Sequence, residues 1–365
     1  VKYLITGGCG FLGSNIAAHA IKEGHEVFII DAMMRVGSNE NRMWLESQAT
    51  ENQLKIAEID VADTYAINSF FQKYGSFDNI AHLAAQVALT TSIADPHRDF
   101  LTNAVGTFNL LEATRLYSPD SVFIYSSTNK VYGEMQQICL KENETRYVAP
   151  EFIEGFDESL PLDFSSPYGC SKGAADQYVR DWYRNFGLKT IVFRHSSMYG
   201  GRQFSTFDQG WIGWFCLQAL EQKQALNEKR KVKEFTIAGN GKQVRDILHV
   251  EDVVRLYNKA FENGSLCAGS IFNIGGGANN SLSLLELFEY LAKILGIKPK
   301  FTHTEWRPSD QKVFIADIKA VSNTLGWSPN LTAYQGIQNQ IDWVSTKINS
   351  NHAIHGNSVQ RRVHY

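Results

Sequence analysis

Short runs of apolar, β-branched and aromatic residues alternate with longer amphipathic stretches through the first half of the chain. Runs at 2–6, 26–30, 54–59, 79–84, 121–126 and 189–194, with a later one at 270–274, are apolar at most positions. Strands apolar on both faces belong to a parallel sheet that helices cover on either side. Between these runs, 11–23, 100–117 and 171–186 repeat apolar residues at helical spacing. In the first of them Leu12, Ile16 and Ala20 share a face and Gly24 offers a stop. The pattern predicts an α/β fold built on a doubly wound parallel sheet.

After about residue 195 the rhythm breaks. The stretch 200–213 mixes glycine, aromatic and polar residues, 228–234 carries a run of charge read as a solvated loop or helix face, and 281–295 is an amphipathic helix behind Gly275-Gly276-Gly277. From about 349 no apolar period is sustained. The chain therefore divides into 1–195 with returning segments near 245–275, a smaller lobe of 196–244 and 276–345, and a tail at 346–365.

Composition narrows the class. With 365 residues, 44% hydrophobic and 12% aromatic, the chain is too apolar to be disordered. A net charge of −3 speaks against a general nucleic-acid binder. The longest mostly apolar stretch, 211–220, is too short to span a bilayer and is broken by Gln218, so no membrane is expected. The N-terminal Val1-Lys2-Tyr3-Leu4-Ile5 runs straight into glycines with no signal-peptide pattern. Five scattered cysteines give neither a disulfide framework nor metal-ligand spacing; a cytoplasmic setting and no bound metal are expected.

The chemistry begins at Thr6-Gly7-Gly8-Cys9-Gly10-Phe11-Leu12-Gly13, between the first strand and the first helix. A dinucleotide loop needs glycine at Gly7 for the tight turn, at Gly10 for backbone approach to the pyrophosphate and at Gly13 for helix–strand packing. Amides near Phe11 and Leu12 then face the phosphate at the helix N-terminus. Asp31 ends the second strand, 18 residues past Gly13, where a carboxylate accepts ribose hydroxyls and repels an extra phosphate. NAD is expected, with Arg35 leaving room for NADP. Asp60 and Val61, at the end of the third strand, are candidates for the adenine edge.

Tyr168-Gly169-Cys170-Ser171-Lys172 is the one Tyr-x-x-x-Lys among fifteen tyrosines. Four residues apart on a helix, the ammonium can reach beside the phenol and favour phenolate, which a tyrosine with a pKa of about 10 needs to act as a base. About one such match is expected by chance; the hydroxyl-rich run Ser126-Ser127-Thr128 behind a strand argues for a site.

Together, the glycine loop, His82-Leu83-Ala84-Ala85, Asn103 before Gly106-Thr107, the hydroxyl run and Tyr168/Lys172 resemble the extended short-chain dehydrogenase/reductase family of nucleotide-sugar enzymes over roughly 1–345. The resemblance implies a Rossmann-type NAD domain with a smaller α/β substrate-binding lobe, and Thr128, Tyr168 and Lys172 as catalytic residues. It places Leu83, Ala84, Asn103, Ser126, Tyr168, Lys172 and His195 at the cofactor, with Asn103 also supporting the lysine through water. On the substrate side it implies Ser197, Arg202, Gln203, Arg245, Arg307 and Asp310. Arginines suit a diphosphate because the planar fork pairs with its oxygens. Cys9, Cys170 and His249, inside these motifs, are read as packing residues.

A 4,6-dehydratase of the family would follow its threonine with Asp-Glu; here Asn129-Lys130 stands there. The segments 165–178 and 193–211 resemble the branch that inverts C2 of a CDP-linked 3,6-dideoxyhexose by transient oxidation. The expected partner is thus a CDP-sugar substrate, and family resemblance adds a homodimer or homotetramer. A nucleotide-sugar 4-epimerase and a non-catalytic NAD-binding regulator stay open.

Overall fold

The fold is described from a computed structural model that covers residues 1–307 and 309–360, with side chains to Ile348. Its centre is a seven-stranded sheet in which every pairing is parallel. Six of its strands lie in the first part of the chain or just after it: β1 (Lys2–Thr6), β2 (Glu26–Asp31), β3 (Leu54–Glu58), β4 (Asn79–His82), β5 (Val122–Thr128) and, further on, β8 (Lys189–His195). A small hairpin, β6 (Lys141–Glu142) and β7 (Tyr147–Val148), lies between β5 and β8. The remaining strands are β9 (Ser197–Tyr199), β10 (Phe235–Ala238), β11 (Val244–His249), β12 (Ile271–Ile274), β13 (Ser281–Ser283), β14 (Phe301–Thr304) and β15 (Val313–Phe314).

The central order is β12-β8-β5-β4-β1-β2-β3. The strand sequence reverses between β1 and β4, so a crevice opens past their C-terminal ends, where such sheets take their ligands. One face is packed by helices Phe11–Lys22 and Val250–Glu262 around Ile16, Ile29, Phe193 and Leu256. The other is packed by Thr64–Tyr74, Gly106–Tyr117 and Ser166–Phe186 around Phe71, Leu110, Phe123 and Val179. A separate apolar core holds helices Trp211–Asn227 and Leu284–Leu295 with Phe235 and Ile237 of β10. Strand β11 pairs with β9, β13 and β15 in a separate four-stranded sheet.

Several elements differ from the sequence pattern, each for a local reason. Strand β5 runs on to Thr128, because Ser126, Ser127 and Thr128 pair with Phe193, Arg194 and His195 of β8. Strand β4 stops at His82, and the amides of Leu83 and Ala84 turn instead to Thr6 Oγ1, each at 3.2 Å. The segment expected as one helix over 100–117 is Pro96–Phe100, a π-turn at Leu101–Val105 and Gly106–Tyr117. Such π-turns recur at functional sites, and this one carries Asn103. The helix expected over 281–295 begins at Leu284: Ser281–Ser283 pairs with β11, and Ser283 and Glu286 close a reciprocal capping box. The last helix runs Ala333–Gln360 through part of the stretch expected as a tail; 361–365 lie outside the described residues. No helix among the described residues is long and apolar enough to cross a membrane, and none of their His, Cys, Asp and Glu side chains cluster as metal ligands.

Candidate active site

A cavity of about 410 Å³ opens over the crevice, lined by Gly7, Gly10, Phe11, Leu12, Gly13, Asp31, Asp60, Val61, Leu83, Ala84 and Ser126. The glycine loop fits a dinucleotide for steric reasons visible in the backbone. Gly7 has φ +67°, and a Cβ there would lie 2.8 Å from the Ala84 amide nitrogen. A Cβ on Gly13 would lie 2.3 Å from the Gly7 carbonyl oxygen, so only glycine lets the helix pack so close to the loop. Asp31 accepts from the amides of Cys9 (2.9 Å) and Met33 (2.8 Å), which fix its carboxylate in the cavity wall while burial raises its pKa. Each of its oxygens keeps a lone pair for a ribose hydroxyl.

Asp60 is not a bare strand-end carboxylate. It pairs with Arg98 at 2.7 Å, and both line the cavity. Arg98 was missed by sequence reasoning because the contact joins residues 38 apart with no shared motif.

A second cavity of about 240 Å³ is lined by Ser197, Arg245, Arg307 and Asp310, with Trp211, Trp214, Phe215 and Leu284 as its apolar wall. Asp310 binds two cations, Lys130 Nζ at 3.0 Å and Arg245 at 2.8 Å. Burial opposes its charge, yet those two neighbours hold it down at about 2. Lys130 also lines this cavity and was missed as a site residue; the signal was present in the Asn129-Lys130 pair, read only as a missing acid pair. Its neighbour Asn129 is tied up by Gln311, which accepts from the Asn129 side chain (3.1 Å) and donates to its carbonyl (3.2 Å).

The structure does not bring Arg202 and Gln203 to this pocket. Both line the first cavity instead, with Arg202 Nε on Asn41 Oδ1 at 2.8 Å and Gln203 Nε2 on the Met198 carbonyl at 3.2 Å. The turn after β9 carries them to the dinucleotide side, which residue spacing does not reveal.

Strand β5 leads from one cavity to the other: Ser126 lines the first, Asn129 and Lys130 the second. Thr128 lies between them; its hydroxyl donates to Asn129 Oδ1 at 3.4 Å, accepts from the Lys130 amide at 3.2 Å and favours ionisation of the Tyr168 phenol. Ser127 faces the other way, donating to Asp176 at 2.7 Å. Pro167 in the first turn of Ser166–Phe186 starts that helix ahead of Tyr168, so Tyr168 and Lys172 share a helix face.

The expected contact of Lys172 with the phenol is replaced by another. Its Nζ donates to the Ser126 carbonyl at 2.6 Å and stands 4.2 Å from the Tyr125 ring centroid. Burial pushes Tyr168 up to about 12 and Lys172 down to about 7. The phenol thus needs a positive charge brought beside it before it ionises at neutral pH. Asn103 donates at 3.0 Å to the Ser171 hydroxyl, which itself binds Asp99.

His195, at the end of β8, is absent from both cavity linings. It is 3% exposed, with Nε2 3.0 Å from the Tyr257 hydroxyl and the two rings stacked. Burial, aided by the Lys172 charge, lowers it to about 3. The unfolded chain protonates this histidine near pH 6.5 and the folded chain does not, so folding stability falls as pH drops from about 6.5 towards 3. Urea midpoints across that window are expected to slope less steeply in His195→Gln.

Two packing expectations divide. Cys9 is buried and His249 is buried as the cap of helix Val250–Glu262, but Cys170 is exposed, because its position on Ser166–Phe186 faces away from the sheet.

The GDP-mannose 4,6 dehydratase family model matches residues 4–340. The chain is 51% identical to CDP-paratose 2-epimerase from Salmonella typhi over 346 residues, covering 95% of this chain and 100% of that one. It is 32% identical to dTDP-glucose 4,6-dehydratase from Salmonella typhimurium, covering 94% and 92%. Among solved structures, UDP-glucuronic acid 4-epimerase from Bacillus cereus, in complex with UDP-glucuronic acid and NAD, superposes with a TM-score of 0.77 at 26% identity, covering 95% and 100%. With the family model matching residues 4–340 and the epimerase relative matching over 95% of this chain, the chain belongs to the GDP-mannose 4,6 dehydratase family of NAD-dependent nucleotide-sugar epimerases and dehydratases.

Proposed function

We propose that the protein is an NAD-dependent epimerase that inverts C2 of a CDP-3,6-dideoxyhexose, converting CDP-paratose to CDP-tyvelose. The observation that carries this reading is the 51% identity to CDP-paratose 2-epimerase over 95% of the chain. Residues 1–195 with returning segments near 245–275 form the cofactor lobe in this reading, and 196–244 with 276–345 the sugar-nucleotide lobe. Gly7, Gly10, Gly13, Asp31 and the Asp60–Arg98 pair hold the dinucleotide. When bound, NAD supplies a hydride acceptor and donor and a positive nicotinamide ring.

Tyr168 as phenolate takes the C2 hydroxyl proton, and Thr128 orients that oxygen. Lys172 donates to the Ser126 carbonyl at the floor of the site. Arg245, Arg307 and Lys130 hold the diphosphate while the keto sugar turns over. Tyr168 then returns the proton to the opposite configuration. Oxidation makes C2 planar and erases its configuration, which direct deprotonation cannot do on a sugar with no carbonyl beside C2.

Elimination of water, the reaction of the dehydratase relatives, lacks its groups here. Asn129 is held by Gln311 and Lys130 by Asp310, so no free acid follows Thr128. NMR of products after separate incubation with CDP-paratose, UDP-glucose and UDP-galactose tests the reading; turnover of a UDP-sugar alone would replace it with 4-epimerisation. In deuterated water C2 of the product is expected to stay unlabelled, and solvent deuterium at C2 would exclude the hydride route.

Lys130→Met removes a cation from the diphosphate pocket and leaves Thr128 in place. A charged hydrogen bond of about 1.5–3 kcal/mol is lost, so KM is expected to rise about tenfold to a hundredfold with kcat changed less. Steady-state kinetics on the CDP-sugar read this directly.

Exposed Phe108, Tyr178, Tyr183 and Phe186 on helices Gly106–Tyr117 and Ser166–Phe186 support pairing with a second copy through these helices, as a homodimer or homotetramer. Free cysteines throughout, two of them exposed, support a reducing, cytoplasmic setting.

A further inference from the structure

The glycine loop and the turn after β9 are nearly two hundred residues apart in sequence and are tied together along the first cavity. Asn15 Nδ2 donates to the Phe11 carbonyl at 2.8 Å and to the Gly201 carbonyl at 3.1 Å. Asn41, 2% exposed, uses both ends of its amide. Its Nδ2 donates to the Cys9 carbonyl at 3.0 Å and to the Arg202 carbonyl at 3.3 Å, while its Oδ1 accepts from Arg202 Nε at 2.8 Å. The same guanidinium donates to the Glu40 carbonyl at 2.9 Å and stands 4.5 Å from the Trp44 ring centroid.

Arg202 achieves this in a left-handed backbone conformation, φ +69°, that a side-chain-bearing residue adopts at a cost. Two residues on, Phe204 lies so close over Gly37 that a Cβ there would fall 2.0 Å from the ring. The strained turn is therefore fixed by several contacts at once. Gly10, Phe11, Asn41, Arg202 and Phe204 all line the cavity that also holds Asp31.

We propose that Asn41 and Arg202 form a latch that retains the dinucleotide between the two halves of the reaction. The inference rests on the NAD reading above and gives Arg202 a task on the cofactor side, away from the substrate diphosphate. An epimerase returns to its starting oxidation state only if one nucleotide stays through both hydride transfers. A loop tied across the cavity by an amide and a guanidinium slows exchange without touching the reacting carbon. Both are positioning residues: they act through the turn they hold.

The test is exchange of NAD on the full chain. Purified wild-type protein is loaded with isotopically labelled NAD, and its replacement by unlabelled NAD is followed by mass spectrometry; association is followed separately after the nucleotide is stripped. In Asn41→Ala and Arg202→Lys, release is expected to quicken about tenfold to a hundredfold, as the loss of one or two hydrogen bonds allows. Association is expected to quicken too, so the equilibrium Kd moves less than either rate. A structural defect in the cavity would slow association while quickening release, and that result overturns the latch. Unchanged exchange in both variants overturns it as well. A wild-type protein that neither carries nor takes up NAD would overturn the cofactor reading itself, a different outcome from a wild type that holds NAD no longer than its variants. Arg202→Lys keeps the positive charge and the stem over Trp44, so the question stays answerable should Asn41→Ala fold poorly.

Discussion

Tyr168→Phe is expected to lower turnover of the CDP-sugar by about 10²- to 10⁴-fold, the range a positioned general acid–base group contributes. The change deletes one oxygen from a half-buried side chain and leaves helix Ser166–Phe186 intact. The cavity over Gly7, Gly13 and Asp31 is untouched, so NAD binding should survive at wild-type strength. Thr128 keeps the Lys130 amide at 3.2 Å. Product formation by NMR and NAD content by absorbance separate the two effects. Retained turnover would remove Tyr168 from the chemistry and reopen the non-catalytic NAD-binding reading.

The second large effect concerns stability. Arg194 and Asp176 form a bidentate pair, both bonds 2.9 Å, with side chains only 3% and 0% exposed. Asp176 also accepts from Ser127, and Arg194 donates to the Tyr132 hydroxyl at 3.0 Å. The pair thus fastens the end of β5 to helix Ser166–Phe186 on either side of Thr128. Asp176→Ala leaves a buried guanidinium without its carboxylate, which costs about 3–5 kcal/mol. Denaturant titration is expected to show that loss, with activity reduced further because Ser127 and Thr128 are no longer held. A double variant, Asp176→Ala with Arg194→Met, should recover much of the stability, since replacing a buried pair with apolar groups is often nearly neutral.

What the sequence revealed follows from where the physics is local. Gly7 and Gly13 were legible because steric limits act between residues a few positions apart. Tyr168 and Lys172 were legible as one face of a helix. Asp31 was legible from its distance past the loop, and its fixing by the Cys9 and Met33 amides agrees with a cavity-wall role. The sheet was legible because continuous apolar runs have few other uses.

Residues joined only by the fold were not legible. Arg98 meets Asp60, Lys130 meets Asp310 and Arg202 meets Asn41 across chain distances that no spacing rule covers. The substrate role expected for Arg202 came from its place in a motif, whereas its backbone at φ +69° turns it towards the other cavity. Likewise Ser281–Ser283 carries an apolar-polar pattern that suits a first helical turn equally well. Pairing with β11 decided it.

The order in which the chain builds the sheet has a consequence for synthesis. Strand β8, which carries Arg194 and His195, acquires its outer neighbour β12 only after the intervening chain has crossed to the second core and come back. Tyr257, the stacking partner of His195, arrives late as well. A growing polypeptide that has reached residue 200 therefore presents an unpaired edge bearing Val192 and Phe193, the kind of edge that recruits other chains. Nascent protein would stay exposed to aggregation until residues 271–274 emerge and cover that edge.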